Sequence, residues 1–176
     1  MLTMKKALSI PVLLICLSVN AAAFNKNNLD YVIGGDNGKI YISKTYKPNL
    51  VISWFDDEQP GFNNPEDIFI DSRQELYVAD TGNNRIVRLS LKGELIRIYA
   101  VPEDPFQSPK GVFVDGEGDI YVADTGNSRI VVLNADGEVK RIYLKPESRF
   151  LDKLFKYEPT KVGVGVNGYI YTIIGS

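Results

Sequence analysis

The stretch ELYVADTGNNRIVRL, residues 75–89, occurs a second time as DIYVADTGNSRIVVL, residues 119–133. The two copies are offset by 44 residues (75 to 119), and residues 62–99 match residues 106–143 at 20 of 38 positions without a gap. Agreement of this density at a fixed offset exceeds chance, so the chain contains an internal repeat. A repeat of this length predicts a protein assembled from similar structural units.

Each copy contains short apolar runs separated by turn residues. In the first copy the runs are residues 68–70, 76–79, 86–89 and 95–99, and in the second copy they are 112–114, 120–123, 130–133 and 139–143. Four such runs within 44 residues predict four antiparallel strands, which is one blade of a β-propeller. The fold class is therefore all-β, a partial β-propeller forming an open arc of about three four-stranded antiparallel blades.

The rest of the chain divides around these copies. We predict a signal peptide at 1–23, a degenerate N-terminal blade at 24–60, the repeats at 61–100 and 101–145, and a short helical insertion with a truncated third repeat at 146–176. The degenerate blade has strand-like runs at 31–33, 39–43 and 49–54. The helix is predicted at 148–155, where apolar residues recur at helical spacing after the capping residue Ser148.

The N-terminus has the composition of a secretory signal peptide. Lys5 and Lys6 precede an apolar run, residues 7–19, and three alanines end at Ala23. We expect cleavage after Ala23 and export, to the periplasm, the cell surface or the medium. One alternative is an uncleaved membrane anchor, although an apolar run of about 13 residues is short for spanning a bilayer. The other alternative is lipid attachment at Cys16.

Composition excludes several kinds of site. The chain has no histidine, which removes Ser-His-Asp and Cys-His catalysis and His-ligated metals. Cys16 is the only cysteine and precedes the expected cleavage point. Without residues 1–23 the chain has 18 basic and 22 acidic residues (20 − 2 against 22), a net charge of −4. That balance argues against nucleic-acid binding, which needs clustered Lys and Arg.

The pattern Pro-x-x-apolar-x-apolar-Asp, Tyr-Val-Ala-Asp-Thr-Gly-Asn-x-Arg-Ile, then Gly-x-x-x-x-x-apolar resembles the NHL repeat. The resemblance is strong over residues 62–143, partial over 159–174 and weak over 31–55. It implies a β-propeller, usually of six blades. It implies a fold more securely than an activity.

The signature residues are predicted to brace the loop that turns each blade. A carboxylate and a guanidinium across a tight reversal can pair, the glycine can supply a backbone angle that other residues resist, and the asparagine can bond the loop's own backbone. Recurrence once per blade favours this structural role over a catalytic one. The predicted braces are Asp80, Gly82, Asn83, Arg85, Asp124, Gly126, Asn127 and Arg129.

Two classes of function remain open. Amidating lyases with this fold hold zinc through histidines, which this chain lacks. Lactonase-like propellers hold a divalent metal with Glu, Asn and Asp near the central channel. The candidates here are Glu66, Asp67, Asp71 and Asp115, so a lactonase or hydrolase is the alternative function. The preferred function is a non-catalytic scaffold that binds a protein or a small extracellular ligand, with no catalytic, metal or cofactor-binding residue. We expect contact with a membrane only through the signal segment.

Two full and two partial repeats are fewer than the four blades that a closed propeller needs. The chain is a fragment of a longer propeller, closes by association with another chain, or forms a stable open arc. Because open sheet edges pair with other chains, we expect self-association or aggregation of the isolated protein.

Overall fold

The computed structural model describes residues 13–15, 29–33, 39–43, 50–52, 60–148 and 154–175. The chain divides into two compact units. One comprises Val12–Ile52, and the other comprises Ser53–Ser176 together with Met1–Pro11.

The smaller unit contains two separate antiparallel strand pairs. Strand β1 (Leu13–Ile15) pairs with β4 (Leu50–Ile52), and β2 (Leu29–Ile33) pairs with β3 (Lys39–Ser43). Three of these strands coincide with runs predicted for the degenerate blade, whereas β1 lies inside the predicted signal peptide. Within these described residues the strands do not form one four-stranded sheet.

The larger unit contains two complete four-stranded antiparallel sheets, which we call blade 1 and blade 2. Blade 1 comprises β5 (Asp67–Ile70), β6 (Glu75–Asp80), β7 (Arg85–Ser90) and β8 (Leu95–Tyr99). Blade 2 comprises β9 (Pro109–Val114), β10 (Ile120–Asp124), β11 (Arg129–Leu133) and β12 (Val139–Tyr143). The strands of each blade pair in sequence order, as predicted for meandering propeller blades.

The two blades share their strand registers. Tyr77 pairs with Phe69 and Arg88 in blade 1, and Tyr121 pairs with Phe113 and Val132 at the equivalent positions of blade 2. The register shifts at the same point between the third and fourth strands of both blades. The 44-residue repeat is therefore also a repeat of backbone geometry.

The core lies where blade 1 packs on blade 2. Tyr77 and Ala79, which alternate along β6, pack with Ile86 of β7 and Tyr99 of β8 against apolar residues of the next blade. Phe106, at the start of the second repeat, completes the cluster. The buried members are Tyr77, Ala79, Ile86, Tyr99, Phe106, Val112, Val114, Ile120, Val122, Val131 and Leu133.

After blade 2 the described chain resumes with one antiparallel hairpin, β13 (Pro159–Val164) and β14 (Ile170–Ile174). Its register repeats that of β9 and β10, because Val164 pairs with Ile170 as Val114 pairs with Ile120. Gly111 allows the two innermost strands to approach, since a Cβ there would lie 2.7 Å from the carbonyl of Thr160. The hairpin is thus the first half of the predicted third repeat.

The helix predicted at 148–155 falls mostly on residues 149–153, which lie outside the described residues. No helix in the described part of the chain is long and apolar enough to cross a membrane.

Candidate functional site

The first copy of the signature motif closes around the buried carboxylate of Asp80. Its Oδ1 accepts a hydrogen bond from the backbone N–H of Asn63 at 2.7 Å. Its Oδ2 accepts from Asn83 Nδ2 at 2.8 Å and from Arg85 Nε at 2.7 Å. Asp80 is wholly inaccessible to solvent, so each of these bonds replaces water that the carboxylate has lost.

The guanidinium of Arg85 extends the same cluster toward the chain entering the blade. It is buried, and its terminal nitrogen donates to the carbonyl of Pro60 at 2.6 Å. Because Asp80 ends β6 and Arg85 begins β7, the pair clamps the reversal between the strands and ties it to the segment before β5.

The second copy reproduces these contacts. Asp124 accepts from Gln107 N at 2.7 Å, from Asn127 Nδ2 at 2.9 Å and from Arg129 Nε at 2.7 Å. Here the outer nitrogens of Arg129 bind the carboxylate and the carbonyl of Asp104. The guanidinium is therefore held between two carboxylates in blade 2.

The predicted role of the glycines is wrong. Neither Gly82 nor Gly126 has a positive φ; the left-handed residues are Asn84 and Ser128, each with φ 54°. A Cβ on Gly82 would instead lie 2.7 Å from the carbonyl of Asn63, to which its N–H donates at 2.8 Å. Glycine is required for close backbone approach, and the left-handed angle falls two residues later.

The predicted partner of the asparagines also needs correction. Asn83 Nδ2 donates to the carbonyl of Gly61 at 2.8 Å as well as to Asp80, and Asn127 Nδ2 donates to the carbonyl of Pro105 at 3.0 Å. These carbonyls lie in the preceding segment and not in the loop itself. The asparagines therefore bind the chain that enters the blade.

The threonine of the motif connects successive repeats, a contact that sequence reasoning missed. Thr81 Oγ1 donates at 2.7 Å to the carbonyl of Pro109, the first residue of blade 2. Thr125 Oγ1 donates at 2.6 Å to the carbonyl of Pro159, the first residue of the third hairpin. The signal in the sequence was the recurrence of Thr81 as Thr125, 44 residues later, with a proline, Pro109 or Pro159, beginning the repeat that follows each.

The four acidic metal-ligand candidates lie in two equivalent turns that line one cleft and at the start of β5. Asp71 accepts from the backbone of Arg73 and Glu75 in one turn, and Asp115 holds the equivalent turn of blade 2. Asp67 begins β5 and Glu66 immediately precedes it. Lys110 pairs with Glu66 at 3.5 Å, and Lys161 pairs with Asp67 at 2.8 Å. Among the described residues, no group of three acidic, histidine or cysteine side chains could hold a metal ion.

Two equivalent tyrosines have strongly shifted ionisation. Burial raises the pKa of Tyr77 to about 12. Burial, together with the charge of Asp115 and the hydrogen bond to it, raises the pKa of Tyr121 to about 12. Both phenols therefore stay protonated above the ordinary tyrosine pKa of about 10.

The NHL repeat family matches the chain twice, at residues 62–89 and 106–133. Both matches fall on the blades described above and include the braced loops. No curated protein matches the sequence.

Solved structures with a similar fold include a lyase, a synthase and a WD40 β-propeller domain. Virginiamycin B lyase from Staphylococcus aureus, in a catalytically inactive form with quinupristin, is 22% identical with a TM-score of 0.51, over 84% of this chain and 42% of the lyase. Hydrazine synthase of Kuenenia stuttgartiensis is 17% identical with a TM-score of 0.55, over 76% of this chain and 35% of the synthase. The WD40 β-propeller domain of Doa1 is 13% identical with a TM-score of 0.52, over 82% of this chain and 43% of that domain. The chain spans less than half the length of each.

These likenesses establish the fold, and the repeated motif establishes the type of blade. The chain is a repeat protein of the β-propeller class. Residues 62–89 and 106–133, within its two complete blades, match the NHL repeat model, in agreement with the sequence resemblance.

Proposed function

We propose that the protein is an exported, non-catalytic scaffold that binds a protein or a small ligand. The observation that carries this proposal is how the polar residues of the repeat are used. The signature carboxylates, guanidinium groups and amides bind one another and the backbone in both blades. Groups engaged in this way stabilise the blades. A partner would therefore bind to the exposed turns and strand edges of the blades.

The fold supports the general part of the proposal. Propeller blades expose turns and strand edges on a rigid support, and binding residues are commonly carried by loops that a rigid scaffold positions. The four acidic side chains that a hydrolase would need for a metal are engaged in separate turns and ion pairs.

Selection from a random peptide library on the immobilised full chain tests the binding function. We expect enriched peptides that bind the soluble protein in calorimetry with one site. The rival hydrolase is tested in parallel by ester and lactone hydrolysis, and by thermal melting with calcium or zinc. Metal-dependent hydrolysis, or a library without enriched binders, would overturn the proposal.

Export is tested at the N-terminus of the protein recovered from outside the cytoplasm of an expressing bacterium. We expect Phe24 as the first residue, because cleavage should follow Ala23. An exported chain that retains residues 1–23, or a chain that stays in the cytoplasm, would contradict this part. Cleavage after Ala23 would remove residues 13–15, so the pairing of β1 with β4 would exist only before cleavage.

We also propose self-association through the third hairpin. Within the described residues β14 pairs on one side only, with β13. Three large apolar side chains of this region, Tyr169, Tyr171 and Ile173, are mostly exposed. An exposed edge beside apolar side chains is a template for another chain. Light scattering after size exclusion should show species larger than 19.6 kDa. A single monomer peak at all concentrations would refute self-association.

A further inference from the structure

A cleft lies at the outer rim of the molecule, where the chain leaves blade 1 and passes the outermost turn of blade 2. Its volume is about 480 Å³, within the usual range of ligand sites. Both walls belong to the two complete repeats. The lining residues are Val101, Pro102 and Glu103 on one wall, and Gly137, Glu138 and Val139 on the other.

The wall formed by the turn of blade 2 is held against the last strand of blade 1. Tyr99 donates its hydroxyl to the carbonyl of Ala135 at 3.1 Å, and Arg97 donates to the same carbonyl at 3.2 Å. The ring of Tyr99 lies beneath Gly137, where a Cβ would be 3.0 Å from it. This turn therefore has a fixed position relative to blade 1.

The opposite wall is fixed by a turn and by the second brace. Val101 has φ 44°, an angle that a β-branched residue rarely adopts. The N–H of Asp104 donates to the carbonyl of Val101 at 3.1 Å, and Asp104 in turn binds the buried guanidinium of Arg129. The cleft is consequently preformed, which lowers the entropic cost of binding.

The cleft combines apolar walls with negative charge. Val101, Pro102 and Val139 supply apolar surface, and Val139 is 42% exposed. Glu103 has no ion-pair or hydrogen-bond partner within residues 60–148 and 154–175, and Glu138 accepts only from the neutral amide of Asn134.

The nearby cations are engaged elsewhere. Arg97 binds the carbonyl of Ala135 and pairs with Asp136 at 3.3 Å, while Arg129 is held by Asp104 and Asp124. Neither guanidinium neutralises Glu103 or Glu138. Both glutamates are exposed, so they are free to pair with a cationic group of a bound partner.

We propose that this rim cleft binds a protein segment that presents a Lys or Arg side chain beside an apolar one. The aliphatic stem and the apolar neighbour would cover the walls, and the cationic end would lie between the two glutamates, since long basic side chains bury their stems and keep their charge at the surface. This assignment rests on the proposed binding function and names the chemistry of its partner.

The internal repeat supplies a matched control for the test. E103Q/E138Q removes both charges from the cleft. E94Q/E147Q removes the charges at the equivalent positions of the neighbouring repeat units, outside the cleft, with the same change in net charge. Glu94 also accepts a side-chain hydrogen bond from the first residue of its turn, as Glu138 does.

The probe is a fluorescent, end-capped peptide of alternating leucine and arginine, with a leucine–glutamate peptide as the opposite-charge control. Fluorescence polarisation at low and physiological salt measures Kd for the full chain and both double variants. We expect the basic peptide to bind wild type and E94Q/E147Q alike, and E103Q/E138Q about fivefold more weakly, as the loss of two exposed charge contacts implies. Methyl NMR shifts should change at Val101 and Val139.

Equal weakening in the two double variants would show nonspecific charge attraction and overturn the assignment. So would failure of the basic peptide to bind, or methyl shifts that lie elsewhere. These failures leave the scaffold function standing if library-selected peptides of other composition bind the protein. Thermal melting confirms that both double variants fold.

Discussion

Replacing Asp80 with alanine tests whether the repeated motif braces the blade. The substitution removes the acceptor of three hydrogen bonds, from Asn63 N, Asn83 Nδ2 and Arg85 Nε. It also leaves the guanidinium of Arg85, which is only 7% exposed, without its buried carboxylate partner. Removing one partner of a buried ion pair costs about 3–5 kcal/mol, so we expect a loss of that size in the free energy of unfolding.

Urea unfolding followed by far-ultraviolet circular dichroism measures the loss. Asp136→Ala is the matched control, because Asp136 also pairs with an arginine but is 82% exposed. Exposed pairs contribute about 0.2–1 kcal/mol, so this control should be nearly silent. If Asp80→Ala prevents folding, Asp80→Asn retains an acceptor for Asn63 and should give a measurable intermediate loss.

A double variant tests whether the loss of stability in D80A comes from the buried charge of Arg85 that is left unpaired. D80L/R85M replaces both charges with apolar side chains, so no buried charge remains unpaired. We expect it to be more stable than D80A, because apolar replacement of a whole buried pair is often neutral. A change of about 0.5 kcal/mol or less for D80A, the size of a neutral surface substitution, would refute the brace.

Single contacts elsewhere in the blades lead to three other tests. In urea unfolding, Gly126→Ala should cost about 1–3 kcal/mol, because its Cβ would lie 2.6 Å from a backbone carbonyl. Gly163→Ala, with nothing within 4 Å, should cost less than about 0.5 kcal/mol; equal losses would contradict the close-approach role. Thr81→Val should cost about 1–3 kcal/mol, because the carbonyl of Pro109 loses a buried donor; an unchanged urea midpoint would exclude that role. Between pH 10 and 12 stability should fall, because the pKa of Tyr77 is about 12 when folded and about 10 when unfolded, so only the unfolded chain has lost the proton. Urea midpoints of Tyr77→Phe should fall less steeply over this range, and an equal slope would refute the assignment.

The architecture of the blades was predictable because it follows from local pattern. Alternating apolar runs, turn residues such as Gly93 and Gly137, and a fixed period determine strand number and order without knowledge of tertiary contacts. The paired registers of β6–β7 and β10–β11 follow from one repeated sequence. Local sequence therefore carries most of the information about a blade.

The chemistry of the motif was less predictable because its partners are remote. Gly82 and Asn83 contact Asn63 and Gly61, about twenty residues earlier in the chain. Thr81 binds a carbonyl of the following blade. A sequence pattern shows that these residue types recur, but only the packed fold shows which carbonyl each one reaches.

The rim cleft gives no sequence signal of its own. Glu103 and Glu138 have equivalents in Glu147 and Glu94, so the repeat pattern alone treats them as ordinary turn residues. They come together because the outer turn of blade 2 packs on the last strand of blade 1. Such juxtaposition between neighbouring repeats is a property of the assembled blades.

Amide hydrogen exchange at Asn63 and Gln107 tests the central claim most directly. Both residues lie outside the strands, and their N–H groups donate to Asp80 and Asp124 at 2.7 Å. If the motif braces each blade, both amides should exchange as slowly as those of β6 and β10. Asp80→Ala, which removes the acceptor of the Asn63 N–H, should accelerate exchange at Asn63 more than at Gln107. Exchange of both amides at the rate of an unstructured chain would contradict the account.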